Sequence, residues 1–372
     1  MTSKYSMREK WFHFLDGEDV GPMVSPLCDD WSLNIPYYWP YDDPDPFPSG
    51  SKNHGLSQQM AMAGICGWDP TFLAAVPFEP KNKDILPTSK SETIDGRRRV
   101  ESHIQTPYGD LIAITDYLVS EHTVKAWLDS EDDYRKAIWL TQQQMDYDED
   151  LAIQEGKIIL EGVSDRGVVG TWYGPPIVNF QTREEIFYHL VDFPELFDEL
   201  HAVTSELSFK RVNTLRKAGF DYLFYCVSGT EWISPKFYRK YIHENTRKIF
   251  NQWQSQGGFI LLHSCGHLKK FVNEGFYNEL KPEILETLSV PPVGDLPSLR
   301  WARERLIPEI ITKGNIPLNI MLNGTEDEVR SEVRKVKEET QGYRHIIGLS
   351  DDVLHNTPLS NCLAFVDEAR RK

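Results

Sequence analysis

His263 and Cys265 stand two residues apart at the end of an apolar run, Phe259-Ile-Leu-Leu-His-Ser-Cys265, with Gly266 after them. In an extended chain, residues i and i+2 project to the same side, so an imidazole nitrogen and a thiolate face one point. Those are zinc donors, at about 2.0 Å for nitrogen and about 2.3 Å for sulfur. No C-x2-C knuckle accompanies them, which speaks against a closed structural site. A catalytic zinc needs three protein ligands and keeps a fourth position open. Candidates for the remaining ligand follow other apolar runs: Cys226, Glu231, Asp351 and Asp352, with His267 a further nitrogen donor.

Ligands so far apart in the chain require a fold that gathers strand ends. From residue 157 onward short β-rich runs alternate with segments of helical periodicity. Strands are expected at 157–163, 168–172, 220–226, 259–263, 284–289, 310–315 and 345–349. Helices are expected between and after them at 194–218, 235–256, 326–340 and 358–371. Such alternation predicts a parallel sheet, either open and doubly wound or closed as a barrel. No G-x-G-x-x-G follows a strand and no G-x-x-x-x-G-K-[ST] occurs, so the nucleotide-binding versions lose support. A (β/α)8 TIM barrel with an N-terminal extension fits the length. Its catalytic residues belong just past the C-terminal ends of the strands, where the candidates above all fall.

The extension, residues 1–115, is read as one domain with the barrel, over 1–372. It contains a proline-rich aromatic stretch, 28–48, and a hairpin, 100–105 with 110–114, turning at Thr106-Pro-Tyr-Gly109. Prolines at 36, 40, 44, 46 and 48 make 28–48 a loop. Its rings either plug the core or wall a ligand site. Trp31, Tyr37 and Trp39, with Trp172, Tyr173 and Trp232 near strand ends, are the candidate substrate wall.

Charge and cysteine usage exclude other classes. Lys and Arg number 40 against 56 Asp and Glu, a net charge of −16, the wrong sign for a nucleic-acid binder. No apolar run approaches the roughly 18 residues of a membrane helix, and residues 1–10 are polar. The cysteines at 28, 66, 226, 265 and 362 are odd in number and unpaired in spacing. A cytoplasmic protein with reduced thiols is expected.

From about Val168 to the end the chain resembles the uroporphyrinogen decarboxylase superfamily, and within it the zinc- and corrinoid-dependent methyltransferases. The matching segments are Gly170-Thr-Trp-Tyr-Gly-Pro-Pro176, Asp192-Phe-Pro-Glu195, Ala218-Gly-Phe-Asp221, Ser234-Pro-Lys-Phe-Tyr238, His263-Ser-Cys-Gly266, Gly314-Asn315, Asn323-Gly-Thr-Glu-Asp-Glu-Val329 and Thr357-Pro-Leu-Ser-Asn361. The hairpin Ile104-Gln-Thr-Pro-Tyr-Gly-Asp-Leu111 is similar to the methyltransferases' T-P-x-G-x-L segment. The R-Q-A-G-R segment with which the decarboxylases grip a tetrapyrrole's carboxylates is missing from residues 1–100. Asp29, Asp30, Asp42, Asp43 and Asp45 stand there instead, which makes decarboxylation the second choice.

The resemblance implies an enzyme that moves a methyl group from a substrate heteroatom to the cobalt(I) of a corrinoid, with zinc on His263 and Cys265. In the methanol and methylamine branches a Cys from the last strand is the third ligand. Here Gly348-Leu-Ser-Asp-Asp352 aligns with it, so Asp351 stands nearest to that place, with Glu231 an alternative oxygen ligand that could also serve as an acid. The D-x-H-x-x-G motif that ligates cobalt is absent, since Asp352-Val-Leu-His355 has the wrong spacing. A separate corrinoid protein is therefore the expected partner. The aromatic segments favour a methoxylated aromatic donor over methanol or methylamines. Other methyl donors, transfer from methyl-corrinoid to a carrier, and a non-catalytic binding barrel are the competing readings; a homodimer is compatible with any of them.

Overall fold

The computed structural model describes residues 4–371 apart from Asp30 and 177–184. Among these, eleven strands occur in chain order: β1 (Thr71–Leu73), β2 (Thr88–Ile94), β3 (Arg97–Ile104), β4 (Leu111–Tyr117), β5 (Glu121–Lys125), β6 (Val168–Tyr173), β7 (Tyr222–Val227), β8 (Phe259–Ser264), β9 (Ile284–Glu286), β10 (Ile311–Ile316) and β11 (His345–Leu349). They form a seven-stranded sheet, β1-β6-β7-β8-β9-β10-β11, and a four-stranded sheet, β2-β3-β4-β5. The chain divides into two compact units, Met1–Val76 with Ile153–Pro175 and Leu215–Lys372, and Pro77–Ala152 with Pro176–Thr214. The expected extension is thus split. Its first 76 residues belong with the large sheet and its hairpin lies in the other unit.

Every pairing in the seven-stranded sheet is parallel, and helices connect successive strands, as alternation predicted. The fold is α/β with a curled parallel sheet of the TIM-barrel type. It has seven strands where eight were expected. The eighth position, beside β11, holds an extended segment joined by isolated bridges, Val24 with Ile347 and, past the end of β11, Leu27 with Asp352. Ile347 N–H donates to the Met23 carbonyl at 2.9 Å and Ser25 N–H to the Ile347 carbonyl at 2.9 Å. On its other side the Val24 carbonyl accepts from the Asp69 N–H, just before β1, at 2.6 Å. Pro22 and Pro26 flank the Val24 bridge. Each lacks the N–H that a longer ladder would require.

The strand side chains alternate between two faces, and the inward face changes character along the strands. At the N-terminal ends it is apolar: Val168, Tyr222, Phe259, Ile284, Ile311 and Ile346 form one buried cluster with Trp11 and Phe14. Those two rings come from helix α1 (Met7–Leu15), started by a Ser6–Glu9 capping box. Arg8 pairs with Asp221, just before β7, at 2.5 Å. Helix α1 therefore plugs the sheet's N-terminal end. Two or four residues further along, the same face carries Trp172, Cys226, His263, Glu286 and Lys313. These polar residues lie toward the end of the sheet away from the plug.

In the second unit β3 and β4 pair antiparallel from Arg98↔Tyr117 to Ile104↔Leu111, bearing out the hairpin. Gly109 N–H closes its turn on the Thr106 carbonyl at 3.1 Å. The run 157–163, expected as a strand, is instead the end of a helix, Glu149–Val163. Its buried positions, Ala152, Gly156, Ile159 and Val163, follow the helical period.

Candidate active site

His263 is the last but one residue of β8 and is buried. The register sets Cys226 of β7 beside it on one side and Glu286 of β9 on the other. Its Nδ1 lies 2.7 Å from Glu286 Oε1, and Glu286 Oε2 takes the ammonium of Lys313 at 2.5 Å. Lys313 is paired in register with neither gap nor shift, directly across from Glu286 on β10. The line Lys313–Glu286–His263 thus crosses three adjacent strands at one height. A carboxylate clamped from both sides fixes the plane of the imidazole, so its other edge faces the sheet's C-terminal end. There Nε2 lies 4.0 Å from Asp351 Oδ1.

Electrostatics follow this arrangement. Burial works against a charge on His263, but hydrogen bonds with Cys265 and Glu286 and the charges of Glu286 and Asp351 outweigh it, raising its pKa to about 10. Burial likewise opposes ionisation of Glu286. The Lys313 charge and the bonds from His263 and Lys313 prevail and hold it at about 2. Cys226 is pushed up to about 12, chiefly by burial, then by the charges of Cys265, Asp351 and Glu286. The same neighbours act on His263 and Cys226, so Cys226, His263, Cys265, Glu286 and Asp351 share one electrostatic environment.

Cys265 is carried by the turn that ends β8. Its N–H donates to the Val227 carbonyl at 3.3 Å, and its own carbonyl accepts from Thr230 Oγ1 at 2.9 Å. Gly266 follows with φ +104°, a conformation side-chain-bearing residues rarely adopt. The Glu231 carboxylate and the Thr230 hydroxyl fill the space a Cβ there would need. Glu231 is exposed, and its charge acts on Lys270. Asp352 N–H donates to Asp351 Oδ1 at 2.9 Å, and Leu27 bridges to Asp352. His267 is exposed in the turn beyond. Among the described residues, no three His, Cys, Asp or Glu side chains are arranged to hold a metal ion as they stand.

The aromatic residues are dispersed. Trp172 lies against Phe224, ring centres 4.3 Å apart, and Phe224 against His263 at 5.2 Å. Tyr173, next along β6, meets Tyr225 on the opposite face, because consecutive strand residues cannot share a side. Trp232 is exposed on the turn after β7. Trp31 donates to the Ile35 carbonyl at 2.9 Å and meets Tyr37, which meets His54 of helix α2 (His54–Cys66). Trp39 and Tyr41 lie under Arg166, two residues before β6 begins. The loop rings thus pack on one another, on His54 and under Arg166.

A cavity of about 550 Å³ opens at the C-terminal ends of β9, β10 and β11, with Asp351 and Asn315 in its lining. None of Trp31, Tyr37, Trp39, Trp172, Tyr173 and Trp232 is among its described lining residues. Of the acidic residues in the aromatic loop, Asp43 pairs with Arg166, and Asp45 accepts from the Tyr37 hydroxyl and the Phe47 N–H at 2.9 Å each. Asp30 lies outside the described residues.

Glu286 and Lys313 were not singled out in the sequence. Each is a charged residue inside an apolar strand, Ile-Leu-Glu286 and Ile-Thr-Lys313. A charge that must be buried needs a partner, and that was the available signal.

The family model for uroporphyrinogen decarboxylase (URO-D) matches residues 180–372. A curated uroporphyrinogen decarboxylase of Gluconobacter oxydans is 22% identical over 190 residues, 51% of this chain and 52% of that protein. The matched stretch therefore spans about half of that relative. Among solved structures, a methyltransferase from Methanosarcina mazei is similar over 98% of both chains, with a TM-score of 0.58 and 14% identity, a likeness of fold. Among the described residues, no helix is long and apolar enough to cross a membrane.

Proposed function

Because the chain belongs to the uroporphyrinogen decarboxylase family, we propose that it is an enzyme of the methyltransferase kind within that superfamily, demethylating a methoxylated compound. The acceptor is the cobalt of a corrinoid carried by a separate protein. One observation carries this reading: at the strand end that leads into Cys265, Glu286 holds one nitrogen of the His263 imidazole at 2.7 Å, while the other lies 4.0 Å from Asp351. A histidine anchored through one nitrogen by a carboxylate is the usual preparation of a metal ligand.

The donor chemistry suits zinc, and the arrangement is one ligand short. His263 and Cys265 would hold the ion, and Asp351, 4.0 Å from Nε2 with a half-exposed side chain, would be the third donor. When bound, zinc supplies a Lewis acid for the leaving oxygen of an ether, a poor leaving group unaided. The residues themselves do the rest. Glu286 and Lys313 orient the imidazole, Trp172 and Phe224 wall one side of it, and the cavity beside Asp351 receives the donor. A decarboxylase acting on a polycarboxylate needs cations facing its substrate, and the described cavity lining has none.

The test combines metal content with turnover. Purified protein should contain one equivalent of zinc. With a reduced corrinoid protein and a panel of methyl ethers, the cobalt spectrum should report methylation. His263→Ala with Cys265→Ala should lose both. Zinc-free protein that methylates cobalt, or an inactive panel with turnover of uroporphyrinogen, would overturn the reading.

A further inference from the structure

The cavity beside Asp351 has walls of one chemical kind. Val290, Pro292, Leu318, Leu322 and Leu354 supply aliphatic surface, and Asp351 is its one ionisable residue among those described. Its other polar lining groups are neutral hydroxyls and amides, such as Asn315. The Asn315 amide nitrogen is already committed, donating to the Leu288 carbonyl at 2.7 Å, so what Asn315 has left to offer is its acceptor oxygen. The nearest strand cation, Lys313, is buried and bonded to Glu286. A carboxylate, sulfonate or phosphate entering here would give up its water and meet no cationic side chain among the described lining residues, which is costly against apolar walls. An uncharged ligand has no such cost, and a space of this size suits a small organic molecule.

We propose that this cavity binds an uncharged, largely apolar methyl ether that bears no anionic group, held by aliphatic contact. The word "donor" for this ligand rests on the methyl-transfer reading above; binding does not, since the walls are complete without a metal. The substrate class is thereby narrowed. Neutral methoxyarenes or alkyl methyl ethers qualify, and methoxybenzoates do not.

Calorimetric titration of the full-length protein, as purified and again after chelation, with methoxybenzene and 4-methoxybenzoate tests this. Methoxybenzene should bind in both preparations, and the benzoate about tenfold or more weaker, a gap of ~1.4 kcal/mol. Leu322→Lys places a cation in the wall and should reverse the order; Leu354→Lys, at a more exposed position, should do the same if Leu322→Lys fails to fold. Leu322→Trp should weaken methoxybenzene. Equal or tighter binding of the benzoate by the native protein, or binding of neither probe, overturns the proposal. Methoxybenzene binding without any cobalt methylation leaves this proposal standing and removes the methyl-transfer reading instead.

Discussion

Lys313 Nζ lies 2.5 Å from Glu286 Oε2 with both side chains almost fully withdrawn from water. The pair is built into adjacent strands in register, so neither residue can leave without stranding the other. Its second carboxylate oxygen is given to His263. One ion pair therefore sets both the local stability of the sheet interior and the attitude of the imidazole.

Lys313→Met should cost up to about 3–5 kcal/mol, because the buried Glu286 carboxylate then keeps His263 as its partner and loses the ammonium. Pairing it with Glu286→Gln should recover a large part of that loss, because the buried carboxylate is then gone. Urea denaturation of the two variants decides this. A single variant as stable as the parent would mean the pair is not buried in solution.

Asp351→Asn should weaken zinc binding by at least about tenfold, since metal affinity depends on the full donor set. Asp352→Asn is the comparison and should weaken it less, since it keeps the backbone N–H that Asp352 gives Asp351 Oδ1. Competition against a chromogenic chelator measures both. Equal affinities would transfer the third-ligand role to Glu231 or Cys226.

Much of this was readable beforehand, and the exceptions share a cause. His263 and Cys265 announced themselves by spacing because both are local to one strand. Glu286 and Lys313 serve that same site from two other strands, so only their odd company, charges amid isoleucines and leucines, hinted at it. The segment 157–163 was misread because Ile158 and Ile159 favour strands, whereas Gly156 packs tightly onto Ala218 and Phe220 and fixes a helix. The closing pair Val24–Ile347 carried no strand signal, being confined by prolines. Tyr173 was placed with Trp172 by proximity in sequence, where strand geometry separates them.

Stability should fall on acidification partly through His345. Burial pushes its pKa from 6.5 to about 4, against the favourable bond to the Gly314 carbonyl, which its Nε2 approaches to 2.6 Å. Between those values the unfolded chain binds a proton that the folded chain refuses. The contribution is thus full above pH 6.5 and is lost as pH falls through 4, amounting to at most about 3 kcal/mol. His345→Gln should flatten the decline in unfolding free energy between pH 7 and 4.5. An unchanged slope would show that His345 does not titrate this way.

Gly266→Ala should destabilise the turn by about 1–3 kcal/mol, from backbone strain at φ +104° together with the displaced Glu231 carboxylate. Its effect on zinc affinity should exceed its effect on the midpoint of thermal unfolding, since the strain falls beside Cys265. Gly266→Ala with native metal affinity would separate the turn from the site.

The bridge at Val24 has a consequence for biosynthesis. Its partner, Ile347, belongs to β11, the last strand of the sheet in chain order. During synthesis the segment about Val24 can meet Asp69 early, but must wait for Ile347 until β11 has been translated. The plug carrying Trp11 waits with it, because its cluster includes Ile311 and Ile346. Ribosome-bound chains stopped before β11 should therefore expose both segments to protease, and release of the finished chain should protect them together.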